Sequence, residues 1–169
     1  SLVESPMMNM TEELLLNDEL QPIKKSINQG PVAMDFEFNE DEVTGVINMQ
    51  GKAQNVQSDL NQTIWDDNAG MYLALSSIEL KEGEEMLARV YDGQKNKVVN
   101  VKLAVEGIEK VEVPAGKFDA YKILATDLEA DNTKTIYVGN KKGQRMVVKV
   151  KSTIPEMGGA KAELLLTSM

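Results

Sequence analysis

Hydrophobic and polar positions alternate with a period of two along most of this chain, most cleanly from Val98 to Leu128. Val99, Val101, Leu103 and Val105 share one phase, with Asn100, Lys102 and Glu106 in the other. Past Val113-Pro114-Ala115-Gly116, Tyr121, Ile123 and Ala125 alternate with Lys122, Leu124 and Thr126. Such alternation around a Pro/Gly break predicts antiparallel strands with one packed face and one wet face. Pro114 has no N–H for a strand ladder and fixes φ, which suits a turn. Gly116 supplies a positive φ there, and Phe118 and Tyr121 are expected to anchor the hairpin in apolar packing.

The same signature recurs, giving about ten strands. Met10, Glu12, Leu14 and Leu16 alternate with Thr11, Glu13 and Leu15, and Asn17-Asp18-Glu19 turns the chain. Strands follow at Gln21–Ile27, Val32–Phe38, Val43–Met49 and Lys52–Gln57, with turns at Asn28-Gln29-Gly30-Pro31, Asn39-Glu40-Asp41 and Gln50-Gly51. Between Asp66 and Leu80 the period changes. Ala69, Met71, Tyr72, Leu75 and Ile78 have helical spacing behind Asp66-Asp67-Asn68, which predicts a capped short helix near 67–80. Strands resume at Glu84–Tyr91, Val98–Glu106, Ile108–Val113, Lys117–Leu128, Thr133–Val138, Arg145–Ile154 and Ala160–Met169. The expected fold class is mainly β: a curved antiparallel sheet, half-barrel or barrel, with one short helix.

At 169 residues, 42% hydrophobic and 27% charged, the chain is expected to form one globular domain spanning 1–169. No run reaches the roughly 18 apolar residues of a transmembrane helix. The net charge of −9 argues against nucleic acid, whose binding rests on neutralising phosphates. Lys134, Lys141, Lys142, Arg145, Lys149 and Lys151 crowd the C-terminal third and read as a solvated sheet face and hairpin tip. The start at Ser1-Leu2-Val3-Glu4 has no basic-then-apolar leader, and a trimmed segment is expected.

Cysteine and histidine are both absent. That removes thiolate chemistry, Ser-His-Asp and Cys-His nucleophile systems and ordinary structural zinc sites. Neither a Walker-type loop nor a dinucleotide fingerprint occurs, and no cofactor is expected. Asp35, Glu37, Asn39 and Asp41, and likewise Asp127, Glu129 and Asp131, place oxygens on one strand face, as a hard cation would need. Neither set completes a calcium loop: Glu40 holds the glycine position, and Val46 or Val138 stands where a bidentate Glu is required. A carboxylate-based hydrolase is the enzymatic alternative, disfavoured because aromatics, usual in sugar clefts, are only 5% of the chain.

The run Gly107-Ile108-Glu109-Lys110-Val111-Glu112-Val113-Pro114-Ala115-Gly116-Lys117-Phe118-Asp119-Ala120-Tyr121-Lys122-Ile123 resembles the G-x-E-x-V-x-V-P-A-G-x-F-x-x-Y-K strand–turn–strand of a family of exported bacterial β-proteins, a domain of unknown function. Asp18-Glu19-Leu20-Gln21-Pro22 and Leu80-Lys81-Glu82-Gly83 are looser matches in the same order, and Tyr137 departs from the Trp usual in the family's later strand. The resemblance implies a periplasmic or outer-envelope location and an open half-barrel distantly like lipoprotein carriers. It implies no catalytic residue.

Ten methionines suit either an irregular core or a surface adapting to varied apolar ligands. The expected function is therefore non-enzymatic: binding of an apolar or lipid-like ligand in a concave sheet face, walled by Val32, Met34, Phe36, Phe38, Tyr121 and Tyr137. The alternative is a structural or interaction domain with a filled core, engaging an envelope protein partner through an edge strand or the Lys134–Lys151 surface.

Overall fold

The computed structural model describes residues 2–5, 8–60, 64–66, 68–93, 95–130, 132–141, 145–154 and 159–168. The protein is mainly β with one short helix, and its chain divides into two compact units, Ser1–Gly70 with Val90–Val98 and Met71–Arg89 with Val99–Met169.

The first unit carries β1 (Leu2–Ser5), β2 (Met8–Leu16), β3 (Pro22–Gln29), β4 (Val32–Phe38), β5 (Glu42–Met49) and β6 (Lys52–Asp59). They form a six-stranded meander in chain order, each neighbour antiparallel. Tight turns fix its register. Gln50 and Gly51, at φ 52° and 80°, join the paired residues Met49 and Lys52, the double positive φ that a two-residue hairpin requires. The core of this unit gathers Phe36, Phe38, Val43, Leu60, Ile64 and Tyr91. Tyr91 meets the rings of Phe36 and Phe38 edge-on at 5.5 and 5.4 Å, a favoured aromatic geometry.

A two-residue strand, β7 (Trp65–Asp66), runs parallel to the end of β8 (Glu85–Asp92), pairing with Val90 and Tyr91. This parallel contact is an exception within the predominantly antiparallel pattern expected. Period-two reasoning had too few residues there to register a strand.

The helix α1 (Ala69–Ser77) lies inside the expected span. Asp66 caps it: Oδ2 accepts from the backbone N–H groups of Asn68 and Gly70 at 3.2 and 3.3 Å. Asp67, also expected in the cap, lies outside the described residues. Gly70, Met71, Ala74 and Leu75 are the buried positions of the helix, and Arg145 donates to the Ile78 carbonyl just past its end at 2.7 Å. No helix among the described residues is long and apolar enough to cross a membrane.

The second unit holds most of β8 and β9 (Lys97–Val113), with β10 (Gly116–Asp127), β11 (Asn132–Gly139), β12 (Val147–Ile154) and β13 (Ala160–Leu165). The sheet order is β13-β12-β11-β10-β9-β8-β7, a curled half-barrel. Pro114 and Ala115 form the turn between the paired Val113 and Gly116, and Gly116 has φ 133°.

Val98–Glu106 and Ile108–Val113 prove to be one strand, β9, carrying a bulge. Ile123 pairs with Val105 and Lys122 with Gly107, so Glu106 is the extra residue, and Gly107 takes φ 148°. The slip inverts the phase of everything after it. Val99, Val101, Leu103 and Val105 are buried on the face of Ile123 and Ala125, whereas Val111 and Val113 are buried on the opposite face, with Ala120, Tyr137 and Val148. One bulge thus lets a single strand feed two apolar clusters.

Candidate functional site

Register sorts the six-stranded sheet into rows across one face. The row Gln29, Val32, Met49, Lys52 lies nearest the β5–β6 hairpin, followed by Ile27, Met34, Ile47, Gln54, then Lys25, Phe36, Gly45, Val56. Burial falls along this series. Phe36 is fully buried, Met34, Ile47 and Val56 are half-buried, and Met49 is 52% exposed. Gly45 permits the buried end, because a Cβ there would stand 2.6 Å from Cδ1 of Phe36 and closer still to the Asp35 carbonyl oxygen. At the open end a hollow of about 580 Å³ is lined by Pro31, Val32, Met49, Gln50, Lys52, Ala53 and Gln54. Lys52 is the one ionic residue in that lining, and it is exposed.

The reverse face is polar. A hollow of about 510 Å³ there is lined mainly by Lys24, Asp35, Glu37, Thr44, Val46, Asn55 and Gln57. Its carboxylates are engaged within the sheet. Asp35 accepts the Ser26 hydroxyl at 2.6 Å, and Glu37 lies 3.9 Å from the Lys24 ammonium.

The acidic sets weighed for calcium have turn-building roles. Asn39 Oδ1 accepts from the N–H groups of Asp41 and Glu42, and Asp127 Oδ1 from those of Glu129 and Ala130. Asp131 lies outside the described residues. Among the described residues no group of three or more Asp, Glu, His or Cys could hold a metal ion.

A buried ionic cluster escaped sequence reasoning. The Lys25 ammonium donates to Asp66 Oδ1 at 2.5 Å and lies 3.5 Å from Glu12 Oε1, with the three side chains 1%, 0% and 6% exposed. Asp66 is also the helix cap, so one carboxylate joins strand β3 to the start of α1. The signal was present in the phase: Glu12 sits between Met10 and Leu14, and Lys25 between Ile23 and Ile27, each in step with apolar neighbours.

The structure separates the six expected wall residues. Phe36 and Phe38 are core, and Val32 and Met34 lie on the open part of the same sheet face. Tyr121 and Tyr137 occupy opposite faces of the second sheet, since Tyr137 pairs with Lys122 and Tyr121 with Val138. Tyr137 is 6% exposed and packed among Val111, Val113, Ala120 and Val148. Its hydroxyl pKa is raised, first by burial and then by the Glu109 charge. Lys122, beside it, bridges Glu106 at 2.8 Å and Glu109 at 3.4 Å, and these hydrogen bonds raise its pKa as well.

In the lysine-rich C-terminal third Lys149 pairs with Glu163 at 3.0 Å, and Lys151 lies 5.7 Å from the Tyr137 ring centroid. Lys142 of that set lies outside the described residues.

A family model described as protein of unknown function (DUF3108) matches residues 9–165. No curated protein and no solved structure matches the chain.

Proposed function

The chain belongs to the DUF3108 family, and on that premise we propose that it is a non-enzymatic envelope module that binds an apolar, lipid-like ligand. The binding element in this reading is the six-stranded sheet, not the half-barrel. Buried Val99, Val101, Leu103, Val105, Ile123, Ile136 and Val138 fill the corresponding positions of the second sheet. The observation that carries the proposal is the gradient from buried Phe36 through half-buried Met34 and Ile47 to exposed Met49, ending at a hollow of about 580 Å³. That volume lies within the roughly 300–1,000 Å³ of small-molecule sites. Two of the open side chains are methionines, which adapt to variable apolar shapes. The absence of Cys and His and the structural use of the carboxylates support the non-enzymatic part.

Fluorescence titration with the uncharged probe N-phenyl-1-naphthylamine tests the reading. Saturable binding is expected in the wild type, reduced in Met49→Asp. Absence of saturable binding, or equal binding by the variant, would refute it. The envelope location rests on the resemblance of Gly107–Ile123 to exported proteins, and recovery of the native protein in a cytoplasmic fraction would overturn it.

The filled second sheet favours a second reading, an interaction domain without a ligand. A wild type that binds no apolar probe is the outcome it expects.

A further inference from the structure

Resting on the apolar-ligand reading, we infer that the ligand is a single-chain anionic amphiphile whose head group is held by Lys52. The register places Lys52 on the same sheet face and in the same row as Val32 and Met49, at the outer edge of the open apolar stripe. A tail running from Met49 toward Met34 and Ile47 therefore has its polar end beside this ammonium. Among the described residues no carboxylate lines this hollow: its other polar side chains are the amides of Gln50 and Gln54, donors that suit an acid head group and leave the lysine charge unopposed within the described lining. The reverse-face hollow contrasts with it. There Lys24 lies 3.9 Å from Glu37, and Asp35 and Glu37 would repel an anion. The two hollows of one sheet thus differ in sign preference, and the apolar stripe ends at the cationic one. A head group at an exposed lysine gains modest affinity, so the tail supplies most of the binding and Lys52 the selection.

The test compares cis-parinaric acid with its methyl ester, which have the same polyene tail and differ in charge. Wild-type protein should bind the acid roughly two- to fivefold more tightly at low salt, the size of an exposed ion pair, with the margin shrinking as salt rises. Lys52→Glu should reverse the preference, weakening acid binding more than ester binding, and an unchanged far-UV circular dichroism spectrum shows that the variant is folded. Equal affinities for acid and ester in wild type, or the same loss for both in Lys52→Glu, would overturn the head-group assignment while the apolar-ligand reading stands. Failure of both probes to bind would remove that reading and this inference with it. Sedimentation with phosphatidylglycerol vesicles, without binding of the free acid, would assign the surface to a bilayer and overturn the single-chain ligand.

Discussion

Lys25 shows how a charged side chain can be indispensable at the inner face of a sheet. Its ammonium is 1% exposed between Glu12 and Asp66, so desolvation is severe and only pairing offsets it. Lys25→Met keeps the volume and removes the cation, leaving two buried carboxylates near one another. The expected cost is about 3–5 kcal/mol, the range for breaking a buried pair from one side. Adding Glu12→Leu and Asp66→Asn should recover most of the stability, since Asn still caps the helix. Urea denaturation of the single and triple variants measures this, and a mild single-variant loss would show that the pair is not the tie described.

At the scale of elements, the bulge in β9 governs the electrostatics of the second sheet. It adds Glu106 to the strand, and the Lys122 ammonium then bridges Glu106 and Glu109 beside the buried Tyr137 ring. Both pKa values are raised, Lys122 from 10.5 through its hydrogen bonds to the two glutamates and Tyr137 from 10.0 chiefly through burial. For both groups the folded state holds its proton longer than the unfolded state. Their stabilising contribution is therefore complete below pH 10 and is lost as pH rises through the folded values. Thermal melts should accordingly decline on the alkaline side of pH 10, with a shallower decline in Tyr137→Phe. Absorbance titration should show Tyr137 ionising above 10.0, a component that Tyr137→Phe removes. An unchanged slope in Tyr137→Phe would remove its share of the effect.

Most strands, though not β1 or the two-residue β7, were legible because alternation is a local property, as were the Pro114-Ala115 turn and the Asp66 cap. The bulge was legible only as a break at Gly107, because a one-residue slip is defined by the partner strand and has no signature in its own sequence. The site was legible in part. Met34 and Phe36 have the same phase, yet one is half-open and the other sealed, since burial along a strand depends on neighbouring strands, here on Tyr91 from far along the chain. Tyr121 and Tyr137, chosen as apolar positions without a register between them, fell on opposite faces.

For the whole molecule, the division into two units raises the question of whether they unfold separately. Each has a core of its own, around Tyr91 in one and around Tyr137 in the other. The backbone, however, passes between them at Gly70/Met71, Arg89/Val90 and Val98/Val99, so neither unit is a continuous stretch of chain. The first unit takes Tyr91, the centre of its aromatic cluster, from a strand whose earlier residues Glu85–Arg89 belong to the second. Unfolding the second unit would release that strand and withdraw the ring against which Phe36 and Phe38 pack. Melting the first would free the start of β9 and the end of β8 together. Connectivity of this kind couples the two cores, and a single cooperative transition is expected despite the two units. Far-UV circular dichroism and Trp65 fluorescence should therefore give coincident denaturation curves, with one calorimetric peak whose enthalpy equals the van't Hoff value. Val43→Ala in the first core and Val148→Ala in the second should each shift the whole transition. Two resolved steps, each responding to only one of these substitutions, would show that the shared strands do not transmit the loss of one core to the other.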